Sequence, residues 1–264
     1  MNHILNQQLK QIELQEQKIF NQSNHNILES TLTPMLAKIQ DKIPDKLIDT
    51  LNAAFYKGFQ LVFEKGSTYI EKTYNKDKIE LEHDINNYAL DKRMNKRHFK
   101  RLDHYSKQTK LINSSFSVVE GSVLGILGIG IPDIPLLLSV LVKTIYEIAL
   151  SYGYCYEREE EKAYLLLLIN AAISRGELQK DLDQKLELLS DKLDRNIESV
   201  VDIDSQMKET SKALSDSLLT AKFIQGIPIV GVVGGAVNYS IVNRVARYAR
   251  LKYKKRYLLK KLVN

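Results

Sequence analysis

The residues of this chain best suited to chemistry are acids that stand in apolar surroundings. Asp133 is the one charge within residues 121–142, GSVLGILGIGIPDIPLLLSVLV, and lies between Pro132 and Pro135. A carboxylate so placed has to be paired, hydrogen-bonded or protonated. In one role it forms a polar site with Glu159, Glu160 or Asn238, suited to a metal ion or an acid/base pair. In the other it caps a helix beginning at Leu136, with Pro135 in that helix's first position. The run Glu159–Glu161 divides the same way, between a ligand-facing role and compensation of a helix dipole. Asp133, Glu160, Glu161 and Asn238 are therefore the catalytic candidates, with Glu159 beside them.

Other signals are weaker. Glu80 and His83 form one Glu-x-x-His on a single helical face, whereas a di-iron bundle needs two such motifs and two further Glu. None of the other histidines (His3, His25, His98, His104) follows a Glu by three, so this face reads as solvated. Cys155 stands among Tyr152, Tyr154 and Tyr156, far in sequence from any histidine base, and reads as a buried packing residue. The chain has no GxxxxGK[ST], GxGxxG, HExxH or GxSxG, so nucleotide cradles, zincins and nucleophile elbows have no support. No metal and no cofactor is expected. A single cysteine forbids an internal disulfide and fits a reducing compartment. The first residues, MNHILNQQLKQIELQEQK, hold no apolar run of signal-peptide type.

Charge is segregated. The net charge is +6, yet residues 244–264 hold nine Lys/Arg and no acid. The block 92–110 adds eight Lys/Arg against Asp103 alone, and 177–204 carries nine acids against four bases. Arg244, Arg247, Arg250, Lys254, Lys255 and Arg256 on a C-terminal helix, with Val245, Tyr248, Leu251, Leu258, Leu259 and Leu262 as anchors, read as a surface for an anionic membrane or a membrane protein. Nucleic acid is disfavoured, since no reading fold or stacking platform is evident.

The elements that must position these residues are helical. From Asp45, apolar residues recur every three or four positions to about Lys72, and Leu136–Leu150 has no breaker. A helix runs from the Glu159 cluster to Ile173 and stops at Gly176. Another stripe runs from Leu178 to Val200. No stretch alternates as a strand does, so an all-α, multi-helix bundle is expected. Gly121, Gly125, Gly128, Gly231 and Gly235 fall in two apolar segments near 20 residues long. Glycines spaced in this way let helices pack closely, either in a soluble core or in a membrane hairpin, and the two segments are expected to pack together.

The run 121–166 resembles the central signature of the EcsC family of bacterial proteins. The likeness is carried by its Gly-rich part, Asp133-Ile134-Pro135, Tyr152-Gly153 and Glu159–Glu161. A second block resembles the family's C-terminal motif, through Gln225, Ile227-Pro228, Gly231 and Gly234-Gly235-Ala236-Val237-Asn238-Tyr239. The resemblance covers roughly 34–260 and divides the chain into a polar N-terminal helical extension, 1–32, and an EcsC-like helical domain, 33–264. It implies a bacterial protein with a transporter or secretion connection, an ABC transporter being the partner suggested, and identifies no catalytic residue. The expectation is a non-enzymatic cytoplasmic protein, peripheral to or partly inserted at the inner membrane. The alternative is a hydrolase-like or ligand-binding protein with an acidic pocket around Asp133, Glu159–Glu161 and Asn238.

Overall fold

A computed structural model describes residues 2–25, 44–108, 133–224 and 235–263. Among the described residues every regular element is a helix and none is a strand, as the 3.6-residue periodicity requires. In chain order the helices are α1 (Asn2–His25), α2 (Asp45–Leu61), α3 (Ser67–Glu71), α4 (Lys76–Lys92), α5 (Lys96–Gln108), α6 (Asp133–Ser151), α7 (Glu159–Ile173), α8 (Gly176–Asp194), α9 (Ile203–Ile224) and α10 (Gly235–Val263).

Two of these form the centre. In α6 the stretch 134–151 is apolar enough to cross a bilayer, with mean hydropathy 1.7, but 94% of it is buried inside the protein. Its apolar surface is taken up by α2, α4, α5 and α10. Helix α7 is buried on every side from Ala163 to Ile173, which marks a core helix rather than a surface one. Neighbours α8, α9 and α10 sheathe it. At Gly58 the backbone of α2 comes so close to α6 that an added Cβ would lie 2.6 Å from Leu138 Cδ1.

Three sequence expectations are corrected here. The helix expected from Asp45 to Lys72 ends at Leu61, passes through a π-helical turn, Val62–Gly66, and resumes as α3; i→i+5 bonding leaves no periodicity signal to read. Helix α6 starts at Asp133, not Leu136, with Pro135 inside a first turn that needs no donor from it. The polar N-terminal helix is anchored on the bundle, with Leu5 and Ile12 completely or nearly completely buried against α10 and α8. Finally, Cys155 is exposed. The chain from Tyr154 to Glu157 is not helical and its side chains alternate, so Tyr154 and Tyr156 point inward and Cys155 outward. Gly121, Gly125, Gly128 and Gly231 lie outside the described residues, Gly235 opens α10, and the expected packing of the two Gly-rich segments also falls outside them.

Candidate functional site

The C-terminal helix is the first place to look, because the sequence reading expects its bases to be exposed. They are mostly turned inward. Lys252 is 1% exposed, with its Nζ 2.5 Å from Glu16 Oε1, 2.5 Å from Asp183 Oδ1 and 2.7 Å from Glu187 Oε1. Burial alone would pull this ammonium down, but the carboxylates of Asp183, Glu187 and Glu16 hold it above its ordinary value. Lys255 shares Glu16 and Glu187, and Lys254 pairs with Asp103 at 2.7 Å. Arg244 donates to the Ser174 carbonyl at 2.8 Å, and burial pushes its guanidinium down to about 10. Arg247 is exposed and Arg250 half-buried. The expected free basic face is therefore corrected to an internal one. Its cause is the acidic stripe of α8, which supplies Asp183, Glu187 and Asp194. Glu16, Asp183 and Glu187 lie close enough together to resemble a cation site, but Lys252 occupies their centre.

The acidic cluster is split by helical rotation. Glu161 is buried and grips Arg256 with two bonds, at 3.0 and 2.8 Å, while Asp194 takes the same guanidinium at 2.7 Å. The rings of Tyr154 and Tyr164 stand 4.2 and 4.5 Å from that guanidinium. Glu160 pairs with Arg158 at the surface, and Glu159 is exposed. Asn238 is buried, its Oδ1 lacking a hydrogen-bond partner among the described residues. The side chain of Asp133 lies outside what is described. The acidic candidates thus divide between an internal ion pair and the surface.

A cavity of about 230 Å³ lies elsewhere, between α4, α5 and α6. Asn75, Lys78, Ile79, Glu82, His83 and Asn86 line it from one side, spaced as one face of a helix. Glu147 and Ser151, one turn apart on α6, form the opposite wall, with Tyr74 and Leu102 closing it. Asn75 sets the start of α4 by accepting the Lys78 amide at 2.9 Å. Of the acidic candidates whose side chains are described, none lines this space, but His83 of the Glu80–His83 motif does. Burial pushes the Glu147 carboxyl up to about 7, against a smaller downward pull from Lys143. Burial also lowers His83, partly offset by its Nδ1 bond to the Ser151 carbonyl at 3.1 Å. No sequence signal marks Glu147, because it sits on an apolar helix as one acid among core residues.

The other basic block behaves differently from the C-terminal one. Lys92, Arg93, Lys96, Arg97, Lys100 and Arg101 are all exposed, and none forms an ion pair with a described residue. On α5 the four bases occupy one side while Phe99 and Leu102 are buried on the other. Leu81, Ile85 and Tyr88, at i, i+4 and i+7 on α4, are 60%, 55% and 64% exposed. A Lys261–Asp91 pair brings the end of α10 to the end of α4, adding exposed Lys260 and Leu259.

Comparison with known proteins adds a family. The EcsC protein family profile matches residues 6–258, which takes in most of α1. Protein EcsC of Bacillus subtilis (strain 168) is 25% identical over 216 residues, 81% of this chain and 80% of its own length. YdbA of the same organism is 27% identical over 149 residues. That match takes in 55% of this chain and about half, 54%, of YdbA. No solved structure matches.

Proposed function

The chain belongs to the EcsC protein family, and from that premise we propose that it works as a peripheral protein at an anionic membrane surface. The observation that supports this is the α4–α5 hairpin, where six exposed bases that form no ion pair with a described residue adjoin the exposed Leu81, Ile85 and Tyr88. Basic residues near an anionic leaflet contribute about 1 kcal/mol each, and tyrosine favours the headgroup level. The acids Glu80 and Asp84 on the same helix oppose contact at its N-terminal half, so the docking end is the one from Tyr88 to Arg101. The contact is thereby moved from the C-terminal helix, whose bases are spent internally, to α5 and the turn before it. The role is one of binding, at the cytoplasmic side of the membrane, where a transporter is a further partner for the same face.

Co-sedimentation with vesicles tests this. Vesicles containing a third phosphatidylglycerol are expected to bring the protein down at low salt, and pure phosphatidylcholine vesicles are not. Reversing Arg93, Arg97, Lys100 and Arg101 to Glu is expected to abolish binding with helix content intact. Reversing Arg247 and Lys260 alone should leave most of it. If the fourfold reversal binds like the parent, the proposal is wrong. Should the parent ignore anionic vesicles yet pellet with native membranes in a protease-sensitive manner, the face docks on a membrane protein instead of lipid.

A further inference from the structure

The cavity between α4 and α6 has a hydrogen-bonding inventory that is one-sided. The Tyr74 hydroxyl lies 2.6 Å from that of Tyr156, which itself donates to Glu71 at 2.9 Å, so Tyr74 donates to Tyr156 and turns a bare lone pair outward. The Ser151 hydroxyl donates to the Ile148 carbonyl at 2.7 Å. His83 turns its Nδ1 to the Ser151 carbonyl, which can only accept, and its Nε2 packs against Gly153, so the ring offers the cavity no donor. Asn86 spends an amide N–H on the Glu82 carbonyl at 2.8 Å, leaving its oxygen free. Glu147 makes no hydrogen bond or ion pair with any described residue, and Lys143, one turn before it, donates instead to the Thr73 carbonyl at 3.1 Å. The inner walls therefore present acceptors and an unpartnered carboxyl, with Ile79 and Leu102 as the apolar surface. The amide nitrogen of Asn75 and the ammonium of Lys78 belong to exposed residues at the rim.

The inner walls of this space offer acceptors and a carboxyl; of the nearby cations, Lys143 is engaged by the Thr73 carbonyl and Lys78 belongs to the exposed rim. We infer that this cavity is a binding site for a small organic ammonium ion, a primary amine or short diamine, with its charged nitrogen on Glu147 and its carbon chain on Ile79 and Leu102. A metal ion is the poorer occupant, since Glu82, His83 and Glu147 are not drawn together as ligands among the described residues. An anion has no donor to meet inside. The inference is independent of the membrane reading, as the cavity faces α6 and not the basic side of α5.

The groups facing Glu147 are Lys143 on its own helix, Glu82, His83 and Lys78 from α4, and Tyr74 from the turn between α3 and α4. Burial moves His83 downward, away from neutrality, while it pushes the carboxyl of Glu147 up to about 7. Binding a cation must ionise it. Below pH 7 each ammonium bound should therefore release most of one proton, and above pH 8 almost none.

Calorimetry with putrescine and with 1,4-butanediol, in two buffers of different ionisation heat, tests this on the full chain. Putrescine is expected to bind, butanediol to bind at least tenfold more weakly, and the proton release to appear at pH 6 and vanish at pH 8. Glu147→Gln should weaken putrescine tenfold or more and remove the release. Ile79→Phe, which fills the cavity without touching the carboxyl, should weaken it as well and guards against a Glu147 variant that fails to fold. Putrescine binding that survives both substitutions would place it on an exposed acidic patch and overturn the inference, as would equal affinity for butanediol or no binding of putrescine at all.

Discussion

At the scale of single residues, the tension in this protein lies in carboxylates and in one glycine. Glu147 is raised because burial disfavours its charged form. Between about pH 4.5 and 7 the folded chain thus holds a proton the unfolded chain has lost. The sign follows directly: this group's contribution favours folding below pH 4.5 and is lost as pH rises through 7. Glu147→Gln removes that loss, so the variant should be more stable than the parent at pH 8, by on the order of 1 to 3 kcal/mol. Thermal melts at pH 5 and pH 8 check it, and a difference that does not grow with pH would refute it. Gly153 has φ +77°, and a Cβ there would lie 2.4 Å from His83 Nε2. Gly153→Ala should cost more than about 1 kcal/mol, since backbone strain and the displaced ring both oppose it. His83 should also shift in its NMR titration; an unmoved resonance in a folded variant would show the ring is not held there. The sequence alone shows that Gly153 breaks a helix, but not what it faces, because His83 is 70 residues away in the chain.

At the scale of elements, α10 is where sequence reading succeeded in form and failed in meaning. A long basic helix with apolar anchors is correctly legible from spacing. Which face turns inward is not, because that depends on the acids of α8 and α1, and a helix's own pattern says nothing of its partner's charge. Lys252 stands 1% exposed among Glu16, Asp183 and Glu187, so three helices are tied through one ammonium. Removing one partner of a buried ion cluster strands the others and costs about 3–5 kcal/mol. Lys252→Met should accordingly cost in that range and loosen α1 first, read as hydrogen exchange rising in residues 3–19 before the core. If α1 exchanges as slowly as in the parent, the cluster does not hold it. The same logic explains why the Glu159–Glu161 run misleads as a site. One member, Glu161, is a structural counter-ion to Arg256, and its neighbours point elsewhere at 100° per residue. Legibility was better for α6 and α7, whose unbroken apolar runs leave a core helix as the simplest outcome once partners are available.

At the scale of the whole molecule, the net charge of +6 divides into charge that is used internally and charge that is not. The C-terminal block is largely cancelled by α1, α5, α7 and α8, as the ion pairs of Lys252, Lys254, Lys255 and Arg256 record. Among the described residues, the hairpin from Lys92 to Arg101 gathers six exposed bases that form no ion pair. These two populations respond differently to salt. Exposed charges are screened within about 10 Å at 0.1 M and about 3 Å at 1 M, while buried pairs are screened far less. Raising sodium chloride from about 0.05 to 1 M should therefore release the protein from anionic vesicles while moving its melting temperature by only a few degrees. The fourfold Glu variant of the α4–α5 hairpin should show no salt-dependent binding yet melt close to the parent, since surface charges away from pairs contribute little to stability. The opposite pattern, with melting that collapses in salt and vesicle binding that persists, would mean that the internal network is wet and the membrane contact apolar. Paired melts and sedimentation on one protein sample distinguish the two, because each readout reports on a different half of the same charge.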